Sequence, residues 1–383
     1  MTNSDQLLSE TTPSSPNLLP FGAGAIIFVL LFVGGSLVGG ELGSFMTASG
    51  NAIPFAILAL LAYMGGSRLN WAWFATALWL LLMIAVTGLV TLGLSIAALS
   101  GGLPDATAGA LPLTDADWLR IAVIAFSSMA AVGVSVILLV TPVRRFLARW
   151  LPLEPTSFVH TIALVTVVVM SLLTTIPLLV LGSPPLLALV DLLSGSAVDE
   201  NMQLRVTIYG LIWTVPATLL AVGLGLTRDL RAALVRLGLV RPTIRQVAAA
   251  VVIALLLVAA VQLLSGGIEQ LWGWMGWPTT DDEAFGELLA FAINPLGALV
   301  IGITAGLGEE LAVRGVLQPR LGILLSNLFF VSLHALQYNW DALLIVFIVG
   351  LACGFVRRAT NTTTAAVVHG VYNFTLVMLA INW

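Results

Sequence analysis

Glu309, Glu310 and Arg314 stand in an otherwise apolar stretch, and two of the chain's three histidines, His334 and His369, stand in apolar stretches further on. An ionisable group inside lipid costs about 2.5–3.5 kcal/mol on insertion, so such groups are rare there and usually functional. Glu310 and Arg314 are four residues apart and share a helix face, where they can pair. Glu309 points about 100° away, which leaves its carboxylate free for a water or a substrate. A carboxylate and an imidazole can jointly hold and deprotonate a water for attack on a peptide carbonyl. A second imidazole, with the Asn373 amide one turn beyond His369, can donate to the oxyanion that develops. The set Glu309, His334 and His369 could equally ligate Zn2+ with an open fourth position, although the chain has no HExxH helix. Spacing leaves both chemistries open, and the first needs no cofactor.

These residues need helices to carry them. A span takes about 20 apolar residues at about 1.5 Å each. Candidate spans are 21–40, 52–66, 71–99, 118–141, 158–184, 205–226, 245–265, 286–308 with a continuation to 318, 321–338, 341–358 and 362–382. The fold class expected is an all-α, polytopic transmembrane bundle of 10–11 spans. Counted from the arginine-bearing span ends, Glu309 lies about 15 Å deep, His334 about 20 Å and His369 about 10 Å. Three separate helices thus bring acid, base and amide to similar levels.

Composition supports lipid as the main solvent: 59% of the 383 residues are apolar and 9% charged. All fifteen basic residues are arginines, without the long basic run that a nucleic-acid surface would show. The single cysteine, Cys353, excludes a disulfide framework and CxxC metal sites and reads as a packing residue. With simple alternation, Arg68, Arg144, Arg145, Arg149, Arg228, Arg231, Arg236, Arg241, Arg245, Arg314, Arg320, Arg357 and Arg358 share one face, and only Arg120 and Arg205 fall opposite. Basic residues near span ends resist translocation, so that face should be cytoplasmic in the plasma membrane. The N-terminus is then inside, the C-terminus outside, and the site is expected to open to the cytoplasm. The segment 21–40 lacks a basic n-region and reads as a retained span. Residues 228–237 form an amphipathic stretch suited to the membrane surface, and Gly302/Gly306 and Gly350/Gly354 are small-residue pairs that permit close helix approach.

In order along the chain, the polar residues spell EExxxR (Glu309, Glu310, Arg314), FxxxH (Phe330, His334) and HxxxN (His369, Asn373). At these residues the sequence resembles the CPBP family, the type II CAAX prenyl endopeptidases and their bacterial Abi or bacteriocin-processing relatives. Ser326 and the run from Arg358 through Thr364 look similar too, while Val313 stands where an aromatic is common. The resemblance covers 201–383 and implies an intramembrane endopeptidase core, preceded by a polar tail (1–20) and a multi-span module (21–200) without a motif. It further implies that Glu309 and His334 activate the water, that His369 and Asn373 stabilise the oxyanion, and that Glu310, Arg314 and Phe330 support the site. The expected partners are membrane lipid and a peptide or lipidated protein substrate.

Bland readings stand beside this one. Glu309, Glu310 and Arg314 could form a structural ion-pair network, and each histidine an interhelical hydrogen bond. A transporter relay would normally show interrupted helices in both halves, yet the acidic and histidine residues within spans occupy the second half. A non-catalytic scaffold or bacteriocin-immunity protein could keep the motifs for structure. His160, near a span start, reads as interfacial. GxSxG, a phosphate loop and a Cys–His nucleophile pair are absent.

Overall fold

Long apolar runs satisfy their backbone groups internally only as helices when lipid surrounds them, and the chain is built that way. The computed structural model describes residues 30–381 apart from 32, 36, 68, 102–112 and 191–199. The tail 1–20, most of the expected span 21–40, and Arg68, Asp105, Asp191 and Asp199 lie outside the described residues. The rest is an all-α bundle with no β-strand among the described residues. In chain order the helices are α1 (Gly40–Thr47), α2 (Ile53–Gly66), α3 (Asn70–Ser100), α4 (Asp115–Val136), α5 (Thr141–Leu147), α6 (Phe158–Leu181) and α7 (Glu200–Ala221). There follow α8 (Leu230–Leu237), α9 (Ile244–Met275), α10 (Asp282–Leu288), α11 (Pro295–Thr304), α12 (Gln318–Leu333), α13 (Trp340–Ala359) and α14 (Thr362–Ala380). This is an integral membrane protein.

Among the described residues, eight helices are long and apolar enough to cross a membrane, or nine if Gly40–Asn51 and Ile53–Gly66, bent by 44°, count as one span. The sequence reading of 10–11 was higher for a physical reason. Residues Pro295–Leu333 form one unbroken 39-residue run in that count, yet straight it would reach about 58 Å, roughly twice the hydrocarbon thickness. It breaks at Gly322, with φ 80° and ψ 173°, a region essentially restricted to glycine. Before the break, Arg320 donates to the Tyr63 hydroxyl and Ala221 O. Beyond it, Asn339 reaches Gly182 O and Thr280 Oγ1 at the opposite end of the bundle. The run therefore doubles back at Gly322 as two legs.

The first leg carries the acidic motif and is wound unusually. α11 continues through Ala305–Glu309 and Leu311–Leu317 in the wider π-helical winding, a local distortion often found at functional sites. It touches α14 backbone to backbone. A Cβ added at Gly302 would sit 2.8 Å from Gly370 O, and one at Gly306 would sit 2.7 Å from Gly370 Cα. Gly350 and Gly354 let the α13 backbone approach α12 closely: a Cβ at Gly350 would collide with Asn327 Oδ1, and one at Gly354 would sit 2.8 Å from Ile323 Cγ2. Arg314 Nη2 donates to Gly350 O at 2.7 Å and Gln318 Nε2 to Gly354 O at 3.0 Å. Asn327 Nδ2 adds a bond to Phe347 O at 2.9 Å, so α11, α12 and α13 are latched by side chains onto carbonyls.

The N-terminal helices are not a separate body. Leu58, Leu80, Leu164 and Met170 pack with Leu321 and Phe329 in one apolar cluster, so α2, α3 and α6 buttress the returning leg. α8 differs from the surface helix expected: Ala233 and Leu237 are fully buried against Leu311, and Arg236 turns inward to Gly315 O.

Two stability outcomes follow from this packing. Gly306→Ala should cost about 1–3 kcal/mol by thermal unfolding in micelles, because its Cβ meets backbone that cannot yield. Arg314→Met should cost about 3–5 kcal/mol by stranding Glu310 in the interior, and the double change Arg314→Met/Glu310→Gln should cost less than that single change. A double variant less stable than either single would contradict the pairing.

Candidate active site

Glu310 and Arg314 are 0% and 1% exposed, so each charge is held out of water and needs the other. Arg314 Nε lies 3.4 Å from Glu310 Oε2, and its guanidinium stacks over the Phe330 ring at 5.0 Å. The remaining Glu310 oxygen accepts from His369 Nδ1 at 3.0 Å. That bond fixes the ring, because a carboxylate can only accept, so Nδ1 carries the hydrogen. His369 Nε2 then faces Glu309, 3.8 Å from Oε2. Glu309 itself is 37% exposed on its side chain, unlike its buried neighbour. The pair of adjacent glutamates is thus split by environment, one anchoring the histidine and the other open to the cavity.

His334 ends α12, where Nδ1 lies 2.9 Å from Phe330 O. A carbonyl only accepts, so Nδ1 donates and Nε2 keeps its lone pair. Phe330 meets both imidazoles edge-on, His334 at 4.7 Å and His369 at 6.0 Å between ring centres. Glu309, Phe330, His334, His369 and Asn373 all line one cavity of about 470 Å3. Every expected catalytic residue is brought there, from α11, α12 and α14. Glu310 and Arg314 lie directly behind them.

Zn2+ ligation fits poorly. Among the described residues, the group whose ligand atoms approach within 4.8 Å of one another is Glu310, Cys353 and His369, not Glu309, His334 and His369. A cation at that buried trio would face the Arg314 guanidinium and compete for the carboxylate that Arg314 and His369 already share. We therefore derive no step through a metal.

The cavity extends from the motif residues toward one end of the bundle. It is also lined by Gln262, Glu269, Thr280, Asp282 and Asp341, which belong to the end of the bundle away from Arg320 and the other clustered arginines. No arginine lines it. Two of these residues are joined: Asp341 accepts from Thr280 N at 2.9 Å and from Thr280 Oγ1 at 2.8 Å. Burial, followed by the nearby Asp341, Glu269 and Asp281 carboxylates, pushes the Asp282 carboxyl above its usual range.

The sequence reading missed several lining residues. Tyr338, one turn beyond His334, stacks on its ring at 5.9 Å, and Tyr372 lines the cavity beside His369. Their helical spacing from the histidines was a usable signal. Asp341 and Thr280 are 61 residues apart, and nothing local in the sequence joins them. Cys353 is fully buried in apolar packing with Ala250, Val349 and Val368, as expected, and also borders the Glu310–His369 pair.

Residues 290–375, which include all seven motif residues, match the family model described as "Type II CAAX prenyl endopeptidase Rce1-like". No curated protein matches the chain, and no solved structure does. The match supports a membrane endopeptidase of CAAX type in general. Over residues 290–375 the chain is therefore similar to the Rce1-like endopeptidases, which is consistent with a CPBP family protease.

Proposed function

We propose that the chain hydrolyses a peptide bond of a membrane-associated peptide or protein by a water that Glu309 and His334 activate. The observation that carries this reading is one cavity lined by a half-exposed carboxylate, an imidazole with a free Nε2, and a second imidazole clamped from behind. Glu309 orients the water and takes its proton as the oxygen attacks the carbonyl carbon. His334 Nε2 shares that proton, which then passes to the departing amine. His369, as an imidazolium with one N–H on Glu310 and the other at Nε2, and the Asn373 amide donate to the oxygen that gains charge. Glu310 and Arg314 act through His369, holding its ring where it serves. Residues 21–200 serve in this reading as a buttress for α12.

The substrate reaches the water from the acidic face. With the arginine-rich face assigned to the cytoplasm by the basic-residue rule, cleavage takes place on the outer side. An unstructured segment with room to extend into the gap between α9 and α13 suits the cavity; a folded domain does not.

Glu309→Gln should lower kcat by about 10²–10⁴-fold on a cleavable peptide while leaving the unfolding temperature near that of the parent. Asn373→Ala should cost about 10²–10³-fold in kcat with little change in KM. Full turnover by Glu309→Gln would overturn the assignment, and a scaffold would keep its biological effect in both variants. In sided vesicles, a membrane-impermeant peptide added outside should be cleaved in right-side-out preparations. Cleavage confined to inverted vesicles would refute the proposed direction of entry.

A further inference from the structure

At the opposite end of the bundle from the cavity, three arginines from different segments converge without an acid. Tyr63, near the end of α2, is 9% exposed. Its hydroxyl accepts from Arg320 Nη2 at 2.6 Å and from Arg228 Nη1 at 3.4 Å. The third guanidinium is one peptide unit away: Arg320 Nη1 donates to Val316 O at 2.8 Å, and Arg236 Nη1 donates to Gly315 O at 3.0 Å. Among the described residues, no carboxylate forms an ion pair with any of the three. The nearest acid in sequence, Asp229, spends its carboxylate on capping α8 through Ala232 N at 2.7 Å.

Plain structural roles account for part of this. Arg320 and Arg228 also donate to Ala221 O and Val222 O at the end of α7, and carbonyls at a helix C-terminus welcome cations. That explains why one arginine sits there but not why three do, since like charges gathered away from water repel. Burial, and then the neighbouring Arg320 guanidinium, hold the Arg236 pKa down to about 9. A guanidinium carries five donors, and the Gly315 bond uses one of those on Arg236.

We propose that Arg228, Arg236 and Arg320 form a binding site for a phosphate-bearing anion on the arginine-rich face, separate from the catalytic cavity. A phosphate presents several acceptor oxygens to donors already arranged in forks, and it cancels the repulsion that the fold leaves in place. The location favours a phospholipid headgroup as the source. Leu230 and Val235 of α8 are each 55% exposed beside the cluster, so the helix presents apolar side chains where acyl chains begin, and basic pockets between helices on this face suit acidic headgroups. Free phosphate shares the chemistry without needing the apolar flank.

The test uses the full chain in mixed micelles and native mass spectrometry, with phosphatidylglycerol, phosphatidylcholine and inorganic phosphate as probes. Phosphatidylglycerol should be retained over phosphatidylcholine, and each of Arg228→Gln and Arg236→Gln should reduce that selectivity about fivefold. Arg145→Gln, which removes an exposed charge of the same sign on the same face, should leave it unchanged. If inorganic phosphate alone raises the unfolding temperature of the parent but not of Arg236→Gln, the site stands and a free anion is its occupant. Absence of selectivity for either phosphate source, or an equal loss in Arg145→Gln, would overturn the proposal. Arg320, which is 4% exposed, is left intact so that folding is not what the variants measure.

Discussion

Placing charge in the centre of a lipid-embedded bundle is the constraint from which the rest of this structure follows. Glu310 cannot stay ionised there without Arg314, and the pair cannot be sheltered unless three helices close over it. The glycines at 302, 306 and 370 let α11 and α14 touch along their backbones. Those at 350 and 354 open α13 so that its carbonyls absorb the donors of Arg314 and Gln318. The bonds that shelter the charge also clamp His369. Stability and site geometry are thus the same set of contacts, which explains why the motif is written on helices and not on loops.

The second consequence is a division of labour between neighbours in sequence. Glu309 and Glu310 are covalently adjacent, yet one is sealed and the other borders the cavity. The π-helical winding on either side of Glu310 permits this, because a widened turn changes the direction in which successive side chains leave the axis. A regular helix would also separate them, but it would not bring Glu309 opposite His369 and Glu310 behind it with the same backbone contact to Gly370.

Much of this was legible from residues alone. Ionisable side chains in apolar runs announced the site, and the i,i+4 spacing of Glu310 and Arg314 announced the pair. The arginine distribution separated the two ends of the bundle. What could not be read depended on helices meeting at particular angles. The backbone conformation that turns the chain back at Gly322 is of this kind, although the candidate spans were already divided there, between 318 and 321. Part of the cavity wall is made by Thr280 and Asp341, joined across the bundle by hydrogen bonds that no periodicity encodes. Arg236 was read as part of an amphipathic stretch on the membrane surface, although Ala233 and Leu237 on the same helix are buried against Leu311 and Arg236 reaches Gly315 O. Among the described residues the two ends therefore differ in charge: carboxylates line the cavity at one, and Arg228, Arg236 and Arg320 gather without an ion-paired carboxylate at the other.

The central claim is that Glu309, His334 and His369 surround a single water inside the bundle. A map of the protein in a lipid disc, resolved well enough to show ordered solvent, tests it most directly. The account predicts one water within hydrogen-bond reach of Glu309, with His334 Nε2 turned toward it and His369 still bonded to Glu310. A dry cavity with His334 facing lipid, or His369 released from Glu310, would contradict it.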